Sequence, residues 1–182
     1  MKKQSTFLYV LRLALTLLLI TSCMAALLAG VNMITAPIIA KANEAKTQKA
    51  IEAVLPGGGN SIEFTDTTGL VTNVYASDTG YAVQVAPSGF DGEIDMMVGI
   101  DKDGKVLGIS IISHTETAGL GAVAAADNAK GEAFRNQFVG MSGELAVTKD
   151  GGEVDAITGA TITSRAVTEG VNAALACVAD LG

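Results

Sequence analysis

The hydropathy pattern is dominated by its beginning, where Leu13 to Val31, LALTLLLITSCMAALLAGV, runs for nineteen residues without a formal charge. Phe7 to Leu11 extends the apolar run backwards with Arg12 as its only interruption, and ITAPIIA, residues 34–40, carries it forward. A bilayer core is crossed by about 20 apolar helical residues, so this stretch predicts a transmembrane helix. Lys41 to Leu55, KANEAKTQKAIEAVL, is rich in good helix formers and predicts a helix continuing from the span. Pro56 and Gly57-Gly58-Gly59-Asn60 stop it.

The pattern then changes period. Tyr81 to Ala86, YAVQVA, and Ile94 to Ile100, IDMMVGI, predict strands. Asp103-Gly104 within DKDGK is a hairpin signal, which makes Val106 to Ser113 the antiparallel partner of the strand before it. Ala122 to Phe138 predicts a helix broken or bent near Gly131, with Phe134 and Phe138 four apart on one face. In the last helix Val167, Val171, Ala174, Leu175 and Val178 form one apolar stripe. Strands joined by a hairpin and flanked by helices predict an α+β domain with a largely antiparallel sheet.

These elements divide the chain into a short cytoplasmic head (1–12), a transmembrane anchor (13–31), a juxtamembrane helix and linker (32–60), and a folded domain (61–182). A cleaved signal peptide is the competing reading of the first two, because Lys2 and Lys3 precede the apolar run. Ile20-Thr21-Ser22-Cys23 also resembles the lipobox at which bacterial lipoproteins are acylated. The length and continuity of the run favour an uncleaved single-pass anchor. Lys2, Lys3 and Arg12 before it balance Lys41, Lys46 and Lys49 after it. The short basic head is that of a signal anchor entering with its N-terminus inside, which places the C-terminal domain outside the cytoplasm.

Charge excludes some partners. After residue 40 there are nine Lys or Arg against nineteen Asp or Glu, a balance of −10. Nucleic acid is excluded, since phosphate backbones require clustered cations, and an anionic lipid surface is unfavourable for the same reason. The two cysteines, Cys23 in the span and Cys177 near the end, offer no CxxC, so an iron–sulfur or zinc site built by this chain alone is not expected.

The candidate chemistry lies just before the last helix, in Asp155-Ala-Ile-Thr-Gly-Ala-Thr-Ile-Thr-Ser164. A helix N-terminus presents unpaired N–H groups and the positive end of its dipole, both favourable to a phosphate. Gly159 and Ala160 keep bulk away from the backbone, while Thr158, Thr161, Thr163 and Ser164 supply hydroxyls that cap a helix or bond phosphate oxygens. Physical argument alone leaves both roles open. His114, the only histidine, is likewise open between a structural and a functional role. Gly119-Leu-Gly121-Ala-Val-Ala124 imitates a dinucleotide fingerprint, but HTETA makes too long an approach for the tight turn that fingerprint requires.

Asp155, Thr158, Gly159, Ala160 and Thr161 fit Asp-x-x-Ser/Thr-Gly-Ala-Thr/Ser, which resembles the flavinylation motif of FMN-binding domains in membrane redox complexes. The stretch GFDGEIDMMVGIDKDGKVLGISIISHTETAGLG, Gly89 to Gly121, is similar to the corresponding segment of the G subunits of Rnf complexes, and more distantly to the C subunit of sodium-pumping NADH:quinone oxidoreductase. With the anchor, the resemblance covers essentially the whole chain. One departure is Ala118, where the family commonly has proline in HxETPGLG.

The resemblance implies FMN joined through its phosphate to Thr161, installed by a separate flavin transferase that uses FAD and a metal ion. It implies that the loop of His114, Glu116, Thr117, Gly119 and Leu120 lies against the flavin, with Thr117, Gly119 and Leu120 near the ring and Glu116 at its polar edge. Thr163 and Ser164 are then left to cap the helix. The implied protein is an electron-carrying membrane subunit of a bacterial ferredoxin:NAD⁺ oxidoreductase coupled to sodium or proton transport, in which other subunits convert the substrates. Two alternatives remain at this level: a stand-alone extracytoplasmic flavin reductase using the same Thr161, and a cofactor-free, lipoprotein-like binding module.

Overall fold

The structure is a computed structural model that describes residues 2–181, with side chains from residue 7 onward. The chain divides into two units, Met1–Ala45 and Lys46–Gly182. A single helix, α1 (Lys2–Val54), makes up the first and contributes its last turns to the second. Its stretch from Phe7 is long and apolar enough to cross a membrane, and side chains such as Leu17, Leu18, Leu19 and Ile20 are exposed along it. Hydroxyls within such a span need internal acceptors, because lipid offers none. Thr16 donates to the carbonyls of Arg12 and Leu13, Thr21 to those of Leu17 and Leu18, and Thr35 to that of Val31.

The second unit is built on a five-stranded antiparallel meander in the order β1 (Asn60–Ile62), β2 (Val71–Ala76), β3 (Gly80–Val85), β4 (Asp95–Asp101) and β5 (Val106–Ser113). β4 is an inner strand, paired on both sides and buried over Met96–Ile100, which explains its unbroken apolar run: both faces of the sheet are covered there. Val98 pairs with Val83 on one side and Ile109 on the other. The hairpin signal forms as read, with Asp101 Oδ1 accepting the N–H groups of Asp103 and Lys105 at 2.9 and 2.8 Å.

The larger core lies between the sheet and the last helix, α3 (Thr161–Leu181). Val83, Val85, Met96, Val98 and Ile100 meet the predicted stripe of Val167, Val171, Ala174, Leu175 and Val178. The opposite face carries a smaller core, in which Ala50, Ile51, Val54 and Leu55 cover Ala82 and Met97. Contact there is so close that a Cβ on Gly99 would strike the Val54 carbonyl.

The helix expected over 122–138 is two elements, and its break is not at Gly131. A 3₁₀ turn, Gly121–Ala125, is followed by α2 (Ala129–Asn136). Asn128 starts the new helix, its Oδ1 accepting the N–H groups of Lys130 and Gly131 at 3.0 Å each, and Gly131 lies inside α2. Phe134 and Phe138 do meet edge to face, 5.6 Å between ring centroids, although Phe138 lies beyond the helix end.

Candidate cofactor site

α3 begins from a tight turn whose conformation follows from its residues. Gly159 has φ +79°, a value that disfavours any side chain, and the Ala160 N–H closes the turn on the Ile157 carbonyl at 2.9 Å. Ser164 reaches back along the helix: its Oγ accepts the Ile157 N–H and donates to the Ala160 carbonyl, both at 2.9 Å. Upstream, Gln137 fixes Asp155 through the latter's backbone, at 2.8 and 3.2 Å, and leaves the Asp155 carboxylate exposed.

Thr163 differs from the expected cap. Its hydroxyl is buried and donates to Glu116 Oε2, while Glu116 Oε1 accepts the backbone N–H groups of Phe90 and Asp91 at 2.7 and 3.1 Å. Ser164 is also no cap, since it braces the preceding turn. Burial raises the Glu116 pKa, but these hydrogen bonds, led by that from Thr163 and aided by nearby His114, outweigh it and hold the carboxyl below its ordinary value. Glu116 thus ties the 90–91 loop to α3. A Cβ on Gly121 would run into both the Glu116 carboxylate and the Thr163 hydroxyl, so this junction closes only around a glycine.

With those side chains otherwise engaged, the amide N–H groups of Thr161, Ile162 and Thr163 find no acceptor among the described residues. They open beside a cavity of about 340 Å³ lined by Glu116, Thr117, Leu120, Gly159, Ala160, Thr161 and Thr163 from the expected set. Gly119, φ +77°, shapes the turn between Thr117 and Leu120, in which the Leu120 N–H donates to the Thr117 carbonyl at 3.1 Å. Asp155, Thr158, His114 and Gly119 itself do not line the cavity. His114 is half-buried, and its Nδ1 is buried without a hydrogen-bond partner among the described residues.

Four lining residues are additions to the expected set: Phe90, Gly121, Lys149 and Ile162. Phe90, Leu120 and Ile162 are 66, 45 and 49% exposed, giving the cavity an apolar rim of the kind that accepts an aromatic ring. Lys149 is its one cationic lining residue, and its Nζ donates to Thr161 Oγ1 at 2.8 Å. The site therefore combines a hydroxyl, unpaired amides and an ammonium at one end with apolar surface around the opening. That donor set suits a molecule with a phosphate and a flat apolar ring, and FMN fits both requirements.

Comparison with known proteins agrees with this chemistry. Residues 89–176 match the FMN-binding domain family and residues 1–54 match the RnfG N-terminal region. The fold and site are accordingly those of an FMN-binding domain behind a long apolar helix. The chain is 34% identical to the G subunit of the Na(+)-translocating ferredoxin:NAD(+) oxidoreductase complex of Acetobacterium woodii, covering 94% of this chain and 92% of that one. It is 37% identical to the proton-translocating counterpart of Clostridium ljungdahlii, covering 82 and 80% of the respective chains. The chain belongs to the family of G subunits of ion-translocating ferredoxin:NAD(+) oxidoreductase complexes. Among solved structures, the C subunit of the Na(+)-translocating NADH-quinone reductase of Parabacteroides distasonis aligns over 56% of each chain, with 28% identity and a TM-score of 0.44.

Proposed function

We propose that this chain is the flavin-carrying subunit of an Rnf-type membrane complex, holding FMN as a phosphoester of Thr161 and relaying electrons between other subunits. Its relatives are named as subunits of sodium- and proton-translocating ferredoxin:NAD(+) oxidoreductase complexes, and its own domain is an FMN-binding one. FMN supplies the redox chemistry, while the protein positions it and sets its electrostatic surroundings. Thr161 holds the phosphate, the first amides of α3 and Lys149 face its charge, and Phe90, Leu120 and Ile162 border the ring. Asp155 and Thr158 belong to the segment recognised during attachment, and His114 supports the loop of Thr117, Gly119 and Leu120.

One observation carries the choice of Thr161. Of the four hydroxyl side chains on α3, Thr163 donates to Glu116, Ser164 to the Ala160 carbonyl and Thr168 to the Ser164 carbonyl, whereas Thr161 donates to no described residue. It is the free hydroxyl, and it lines the cavity. A flavin transferase is the maturation partner on this reading, and the domain lies on the extracytoplasmic side of a bacterial cell membrane, where lost FMN is hard to replace and a covalent tether is of use.

The test is to co-express the full chain with a flavin transferase, denature it, and read flavin fluorescence on a gel together with the mass of the Thr161 peptide. Wild type is expected to carry one FMN on that peptide and Thr161→Val none. Absence of covalent flavin from wild type, or its persistence in Thr161→Val, overturns the assignment. Impermeant labelling of cysteines introduced after residue 60 tests sidedness: labelling of intact cells is expected, and labelling only after lysis overturns it.

A further inference from the structure

We propose that Lys149 is a catalytic residue on the acceptor side of flavin attachment, polarising Thr161 for the transfer and then neutralising the phosphate formed there. This inference rests on attachment at Thr161. Lysine has only donors, so the 2.8 Å contact fixes the roles: Nζ–H donates and Thr161 Oγ1 accepts. Both residues line the cavity, and the bond leaves the hydroxyl proton free to depart.

The position of Lys149 is built, although its side chain is exposed. It occupies the 3₁₀ turn Thr148–Asp150, whose flanks Val147 and Val154 are buried and joined by a bridge, with the Thr148 N–H donating to the Val154 carbonyl at 2.8 Å. Arg165, one helical turn beyond Thr161, grips Asp150 with two hydrogen bonds of 2.6 and 2.7 Å. That pair fixes the turn to α3 and occupies the neighbouring guanidinium, so the ammonium of Lys149 is the cation left facing Thr161. The other charged group at the cavity, Glu116, points its oxygens into three protein donors. Charge at the opening is therefore positive beside the acceptor oxygen, as an incoming pyrophosphate requires.

Thr161 Oγ1 attacks the flavin-side phosphorus of flavin adenine dinucleotide, forming an Oγ1–P bond. The P–O bond to the adenylate breaks, and AMP leaves with that electron pair. The hydroxyl proton passes to a base of the transferase and on to water, and nothing is oxidised or reduced. Negative charge grows on Oγ1 and the phosphoryl oxygens during this step, where a fixed ammonium stabilises it more than it stabilises the neutral hydroxyl.

The experiment follows covalent flavin on the full chain in detergent, by intact mass, with purified transferase, flavin adenine dinucleotide and varied acceptor concentration. Lys149→Met is expected to lower kcat on the order of 100-fold with little change in the KM for acceptor, as removal of one transition-state donor does. Lys149→Arg, which keeps the charge in a different shape, is expected to recover to within about tenfold of wild type. Wild-type kcat in Lys149→Met, or a raised KM with unchanged kcat, overturns the inference, the latter by reducing Lys149 to a docking contact. Both outcomes leave attachment at Thr161 standing. Wild type that accepts no flavin instead removes the reading on which the inference rests.

Discussion

Thr161 and Thr163 stand in the same first turn of α3, and each meets a charged side chain through its hydroxyl, yet the two contacts have opposite physical character. Thr163 is buried and donates to an anion, Glu116, that is itself held by two backbone amides. Thr161 is partly exposed and accepts from a cation, Lys149. The first contact closes a junction between a loop and a helix. The second leaves a proton free on an oxygen that faces a cavity. A hydroxyl's role here is set by what it bonds and whether water reaches it, not by residue type.

The contrast predicts unequal responses to mutation. Glu116→Ala strands the buried Thr163 hydroxyl and takes the acceptor from two partly buried amides, and is expected to cost about 3 kcal/mol, read as a lowered denaturation midpoint at pH 7. Gly121→Ala forces a methyl into the same junction and should cost about 1–3 kcal/mol in the same assay. Acid sharpens the picture. The Glu116 pKa is depressed on folding, so its contribution is fully present above the ordinary value of 4.5 and fades as pH falls from there through the folded pKa. Asp66, also depressed, adds to the same acid limb, so the check is a comparison with Glu116→Gln, whose stability is expected to depend less on pH below 4.5.

On the other side of the comparison, Thr161→Val should change stability by no more than about 0.5 kcal/mol, because only an exposed lysine loses its acceptor. A larger loss in a thermal melt would mean that the two hydroxyls are not as different as their partners suggest. Asp150→Asn is the mildest case. It weakens an exposed, solvent-screened ion pair, so flavin attachment is expected to slow by about fivefold at most, with the melting temperature nearly unchanged.

Local patterns in the chain were a good guide to whatever is built locally. The hairpin at Asp103-Gly104, the stripe on α3 and the long α1 follow from spacing of two, three to four, or continuous apolar residues, and each formed where expected. β1 and β2 escaped that reading: β1 is three residues with little burial, and β2 has a register shift between Val71 and Asn73 that spoils its alternation. Gly131 misled because a glycine inside a helix looks like a break, whereas the side chain of Asn128 restarts the helix three residues earlier. The motif located Thr161 and the loop before it, but Phe90 and Lys149 come from distant turns that only the fold brings to the cavity. The same is true of the Glu116–Thr163 bond, since neither residue carries a mark of its partner in the local sequence.

The close approach at Gly99 bears on how this protein can be shortened. A water-soluble version cut at the glycine run would discard Ala50, Ile51, Val54 and Leu55, and with them the cover over Ala82 and Met97 on the far side of the sheet. Such a fragment is expected to be sticky at that face, while one that starts near Lys46 keeps both sides of the sheet dry.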